Sequence, residues 1–213
     1  MFQLSYWERR YKQGGTSGEG SVDESRDWKW KIIDEEVNIV ENVVDVGCGD
    51  LTFWLGRDCK NYTGIDISET ILKKNKATRP QWKFIHSSSD RFIENLKAPI
   101  VFCFDMLFHI MDEDSFVKTV DNVCRYSSKY LFIYTWKKNP FSRSNALRRL
   151  FKKRNLGYLK YLFFPSTTDT KYQYFRSFDD YMSIFEKNNF QRLKEHEYPD
   201  KVGCMYVFKK LDS

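Results

Sequence analysis

The stretch Val43-Val44-Asp45-Val46-Gly47-Cys48-Gly49 runs β-branched residues and one acid into a Gly-x-Gly turn. The run reads as a buried parallel strand, and the glycines as a place where backbone comes close to a ligand. Asp66, 17 residues past Gly49, stands near the end of a second apolar run, residues 61–68. That is near the separation at which an acid closes the second strand of a nucleotide-binding βαβ unit and accepts hydrogen bonds from ribose hydroxyls. A dinucleotide fold would want a third glycine three places after the second, and Thr52 stands there. The combination predicts a nucleoside site and weakens the nicotinamide reading. Two more residues suit proton chemistry. Asp105 and His109 follow the wholly apolar run 100–104, and the site of an open parallel sheet lies beyond the carboxyl ends of its strands. An imidazole near neutral pKa is suited to taking a proton at cellular pH. The other two histidines, His86 and His196, fall at the end of the third strand and in the terminal hairpin.

These residues need a sheet to hold them. Strands are expected at 43–46, 61–68, 81–86, 100–104 and 130–136, with helices between them at 51–58, 70–76 and 115–124. Ser68 is placed to cap the helix after the second strand, and Pro80 to stop it. A helix opening on the acids of 177–181 and running to Lys187 precedes two last strands, 192–198 and 204–209, joined as a hairpin. The expected fold is α/β: a doubly wound, mostly parallel seven-stranded sheet with a terminal antiparallel hairpin and helices on both faces. Ahead of the first strand, residues 27–40 place Trp30, Ile33, Val37 and Val40 at helical spacing. Residues 14–21 hold four glycines and read as a loop, mobile or ordered by a ligand.

The acid two residues before Gly47, with Gly-x-Gly behind it, resembles motif I of the class I S-adenosylmethionine-dependent methyltransferases, the seven-stranded Rossmann-like family. Tyr6-Trp7-Glu8-Arg9-Arg10-Tyr11, followed by Gly14-Gly15-Thr16-Ser17-Gly18, resembles a group of small bacterial members. The resemblance implies S-adenosylmethionine as cofactor. It assigns the turn to Asp45, Gly47, Cys48 and Gly49, the ribose side to Asp66 and Ile67, and further contacts to Phe104 and to Ser88, the nearest polar residue where the family often has an acid for adenine. Cys48 reads more readily as a small packing residue than as a cofactor contact. Trp7, Arg10 and the loop glycines, Gly18 among them, would close on the methionine end, although a solvated surface helix is the plainer reading. Residues 1–213 would form one domain, with 1–40 as a lid and 137–175 as a basic insertion. Asp105 and His109 would face the transferred methyl group, His109 as the base. Methylation of the adenine amino group in DNA uses Asn/Asp-Pro-Pro-Tyr/Phe at this place, and cytosine C5 methylation a cysteine beside a proline. Asp105-Met106-Leu107-Phe108 has neither, so duplex DNA is not an expected target.

Composition bounds the rest. A chain of 213 residues can bury a core without disulfides, and no apolar run approaches the length needed to cross a bilayer. The five cysteines show no metal-ligand spacing, so reduced thiols and no metal are expected. With no signal-peptide pattern at the amino terminus, the expected location is cytoplasmic. Basic character is local: residues 137–164 hold nine Lys or Arg and no acid, against 26 basic and 29 acidic residues elsewhere. Within it Leu147, Leu150, Phe151, Leu159, Leu162 and Phe163 recur at helical spacing between Arg148, Arg149, Lys152, Lys153 and Arg154. Such a stretch binds an anionic substrate or touches a membrane through 144–164, or simply packs its apolar side on its own domain. The expected activity is O-methylation of a small or saccharide acceptor, anionic in view of these charges. The alternatives are N-methylation of an amine or RNA base, and a non-catalytic module that binds a membrane or partner.

Overall fold

The computed structural model describes residues 2–38, 40–153, 156–169 and 172–211; Ile39 and Arg154 lie outside them, as do the side chains of Arg149, Phe151, Lys152 and Lys153. Helices α1 (Phe2–Lys12) and α2 (Asp23–Glu36) lead to β1 (Asn42–Val46). Then come β2 (Asn61–Asp66), α3 (Glu69–Thr78), β3 (Lys83–His86), β4 (Ala98–Phe104), α4 (Glu113–Tyr126) and β5 (Ser127–Trp136). Helices α5 (Arg143–Lys153), α6 (Lys160–Phe163) and α7 (Met182–Lys187) precede the strands β6 (Phe190–Glu197) and β7 (Gly203–Lys210).

The strands form one sheet in the order β3-β2-β1-β4-β5-β7-β6. The first five are parallel, and β7 runs antiparallel between β5 and β6. Both faces are buried, because alternate residues of each central strand feed opposite cores. Val43, Phe102 and Phe132 pack with Trp30 and Ile33 of α2 and Ile71 of α3. Val44, Val101 and Leu131 pack with Phe116 and Val120 of α4 and Phe185 of α7. A third, smaller core joins Phe108 and Trp136 to Phe141, Ala146 and Tyr161 of the basic insertion, whereas Leu147, Leu159 and Phe163 stay exposed. β1 has β2 on one side and β4 on the other. The chain order reverses there, which opens a crevice at the carboxyl ends of β1 and β4.

The differences from the expected elements have local causes. The helix expected at 51–58 is only a 3-10 turn, Thr52–Trp54, because Leu51 and Gly56 take φ of +62° and +77° at its two ends. α2 starts and stops four residues earlier than 27–40, since Val37 is already extended. Beyond α5 the described part of the basic stretch holds a 3-10 turn, Leu156–Tyr158, with Gly157 within it, and the short α6. The helix before β6 opens as a 3-10 turn, Phe178–Tyr181. Ser68 caps α3 as expected, accepting from the Ile71 N–H.

Candidate active site

Gly47 and Gly49 follow β1 with φ of +79° and +56°. A Cβ on Gly47 would sit 2.7 Å from Met106 Cγ, and one on Gly49 2.1 Å from Ser17 Oγ. Both glycines are therefore needed for φ and for close approach. Asp66, at the end of β2, accepts the Gly49 N–H at 3.0 Å and the Ser68 N–H at 2.9 Å, which ties the turn to the start of α3. Burial raises its pKa, and those backbone donors oppose the rise. Asp45 gives one oxygen to Trp54 Nε1 and Tyr62 Oη, each at 2.9 Å, and burial pushes its pKa up to about 6. Asp45 thus braces the turn from beneath. Cys48 packs on Gly64 of β2, whose absent Cβ would lie 2.8 Å from its sulfur.

Around this turn lies a cavity of about 240 Å³. Gly47, Gly49 and Asp66 form one wall, and Ile67, Phe104 and Met106 give it apolar surface. At the far end Ser88 and Asp90 line it, with the Ser88 hydroxyl donating to Asp90. Backbone at the turn, a carboxylate at the end of β2 and a flat apolar slot suit a nucleoside carrying an amino acid.

The amino-terminal segment closes over the turn. Ser17 N–H donates to Asp50 Oδ2 and Asp50 N–H to Ser17 Oγ, both at 2.9 Å, while Tyr11 Oη lies 3.1 Å from the same hydroxyl. Glu8 of α1 accepts from Ser68 Oγ at 2.6 Å and from Thr70 N–H and Oγ1, and these bonds hold its pKa down at about 2. Helix α1 is therefore docked on the first turn of α3.

A second cavity, of about 570 Å³, adjoins the first. Trp7, Ser17, Asp105 and His109 line both, so they stand at the junction. Asp105 has φ of +55° and pairs with Lys29, whose Nζ also donates to the Gly20 carbonyl at 2.7 Å and lies 4.1 Å from the centre of the Tyr134 ring. A Cβ on Gly20 would lie 2.4 Å from the Asp105 carboxyl. The His109 Nδ1 donates to the Tyr172 carbonyl at 3.0 Å, and the ring sits between Trp7 and Tyr172. Burial lowers its pKa to about 4, so at neutral pH the imidazole is uncharged.

All the expected residues but two line the first cavity. Arg10 and Gly18 line the second, because the Arg10 guanidinium turns to the Thr16 carbonyl at 2.6 Å and pins the loop instead of reaching the turn. Sequence reasoning missed Tyr11, Ser17, Lys29, Asp90 and Met106. Ser17 had a signal, lying within the glycine loop, and Asp90 had one in being the acid nearest the third strand. Among the described residues no three His, Cys, Asp or Glu are grouped to hold a metal ion, and all five cysteines are free and buried.

Residues 44–132 match the family model of a methyltransferase domain. No curated protein sequence matches the chain. Among solved structures, the N-methyltransferase NodS from Bradyrhizobium japonicum WM9, in complex with S-adenosyl-L-homocysteine, is similar over all of both chains, with TM-score 0.66 and 10% identity. Magnesium protoporphyrin IX methyltransferase from Synechocystis PCC 6803, with bound S-adenosylhomocysteine, has TM-score 0.66 and 16% identity over 98% of each chain. The 1,6-didemethyltoxoflavin-N1-methyltransferase from Burkholderia thailandensis has TM-score 0.66 and 10% identity over 98% of this chain and 87% of its own. At such identities the likeness is one of fold.

Proposed function

We propose that the chain is a class I, Rossmann-like methyltransferase that uses S-adenosylmethionine and that it methylates a hydroxyl of a small neutral acceptor of saccharide size, held in the second cavity. The methyltransferase-domain match over residues 44–132 and the shared fold support this. One observation carries this reading: Trp7, Ser17, Asp105 and His109 line both cavities, so a group crossing from one to the other passes among them. When bound, the cofactor supplies a methyl group already activated by its sulfonium.

The chain's own residues then bind, align and exclude water. Gly47 and Gly49 offer bare backbone to the amino acid part, Asp66 accepts from ribose hydroxyls, and Asp90 with Ser88 faces the adenine amino group. Trp7, Tyr11 and Ser17 cover the turn, which keeps water from the in-line path. His109 is uncharged and takes the acceptor's proton; its low basicity fits a proton that leaves only as the new bond forms. Tyr6, Trp7, Phe108, Trp136 and Tyr172 give the second cavity flat apolar walls suited to the face of a sugar or heterocycle.

Charge at that cavity bears on the acceptor. Glu19, Glu24, Asp105 and Asp200 line it against Arg10 and Arg148. This balance supports a neutral acceptor over the phosphorylated one expected from the basic segment. The same acidity favours, as a second reading, a cationic amine methylated on nitrogen.

Titration calorimetry with S-adenosylmethionine and S-adenosylhomocysteine, beside Asp66→Ala, tests the first cavity. Binding by the intact chain that the variant loses is expected; equal binding by both removes Asp66 from the site. Release of S-adenosylhomocysteine with neutral hexosides, sugar phosphates and aromatic amines as acceptors tests the second, and turnover confined to sugar phosphates contradicts the neutral reading. His109→Gln is expected to lower turnover about a hundredfold while cofactor affinity survives, the size of a lost general base.

A further inference from the structure

Among the described residues the three most exposed large apolar side chains are Phe164, Leu156 and Phe163, at 78%, 76% and 68%. Leu147 and Leu159 are exposed with them, so five such side chains fall within 18 residues. Elsewhere exposed apolar residues stand singly, as they do on any protein surface. This segment has used its other face already: Phe141, Ala146 and Tyr161 are buried against Phe108 and Trp136. The outward residues are therefore not a misplaced core.

The same stretch, 137–164, carries nine basic residues and no acid. Lys137 and Lys138 pair with Glu195 and Glu197 of β6, but the remaining seven begin at Arg143 and are interleaved with the exposed leucines and phenylalanines. Apolar side chains to enter an acyl layer, with cations between them for phosphate headgroups, are what a peripheral contact requires. We propose that the ridge formed by α5, residues 156–159 and α6 docks on an anionic lipid bilayer.

Two other occupants fit less well. A second copy joined across a two-fold axis would set this basic surface against itself, and like charges oppose that. Single-stranded RNA would use the phenylalanines and cations but leave Leu147, Leu156 and Leu159 without a partner. The ridge also borders the second cavity, which Arg148 and Tyr158 line. Docking thus brings the rim of that cavity to the headgroups, and an acceptor carried at the membrane surface meets it there.

Co-sedimentation of the full chain with vesicles of phosphatidylcholine, alone or mixed with phosphatidylglycerol, tests the proposal. Binding to the mixed vesicles is expected, weakening as salt is raised. The triple variant Leu156→Ser/Phe163→Ser/Phe164→Ser touches neither cavity and is expected to lower partitioning about tenfold or more, with melting temperature and S-adenosylhomocysteine affinity unchanged. Arg143→Glu/Lys160→Glu is expected to lower it as well and to flatten the salt dependence. Absence of binding to mixed vesicles overturns the proposal, as does equal binding by the triple variant. Self-association in sedimentation velocity that the triple variant abolishes, without vesicle binding, overturns it in favour of a second copy. Capture of a single-stranded RNA oligomer in place of vesicles overturns it in favour of nucleic acid.

Discussion

Lys29 has no exposed surface, yet its ammonium group pairs with Asp105, which lines both cavities. Burial lowers its pKa and the Asp105 carboxylate opposes that, so charge and partner depend on each other. Removing one member of a buried pair leaves the other uncompensated, whereas removing both does not. Lys29→Met is therefore expected to cost about 3 kcal/mol, and Lys29→Met/Asp105→Asn to recover most of it. Denaturant unfolding of both variants and of Asp105→Asn checks this, and additive losses would mean the pair is not coupled. The sequence held a faint sign of this pair. Lys29 lies three and four residues before Ile32 and Ile33, on the buried face of α2, but Trp28-Lys29-Trp30-Lys31 reads as an exposed, alternating run. Its partner stands 76 residues away, a distance no local pattern reports. The place of Asp66 beside the glycine turn was legible for the opposite reason, because the acid, the turn and the two strands fall in one short unit.

At the scale of elements, the proposed lid depends on where α1 docks. Glu8 bonds Ser68 and Thr70 at the start of α3, where helix donors lack intrahelical partners and the dipole favours an anion. Ser68 in turn follows Asp66, so one contact links lid and site. Glu8→Ala is expected to weaken S-adenosylhomocysteine binding roughly tenfold, about the worth of one hydrogen bond to a charged group. Calorimetry measures it, and an unchanged affinity would separate the lid from the site. The sign with pH follows from the lowered pKa: the docking contact is fully present above the ordinary glutamate value of 4.5 and is lost as pH falls through about 2. Helices with tertiary partners were read best. The failure at 51–58 came from backbone, since nothing in Leu51 announces a positive φ.

For the whole molecule, the sheet was legible because strands buried on both faces are written as continuous apolar runs, and the terminal hairpin as two runs around Pro199. The second cavity was not. Its lining comes from α1, the glycine loop, the start of α2, the segment after β4, the end of β5, α5 and the turn after it, residues 172–173 and the turn before β7, and no short pattern joins these. What unites them is the energetics of burying charge around a site. Asp45 holds its proton up to about 6, while the unfolded chain releases it near 3.8, so its contribution to stability is lost as pH rises through that interval. Integrated, this is on the order of 3 kcal/mol. His109 runs the other way. The folded chain accepts its proton only near 4 and the unfolded chain near 6.5, so its contribution is lost as pH falls between them. The two slopes oppose one another in the same window, and each hides the other in the intact protein. Urea unfolding from pH 4 to 7 is expected to separate them. Relative to the intact chain, Asp45→Asn gains stability as pH rises from 4 to 6, and His109→Gln gains it as pH falls from 6.5 to 4. Parallel curves for either variant would mean that the residue titrates alike in the folded and unfolded chain, and that its surroundings are wet enough to hold its charge.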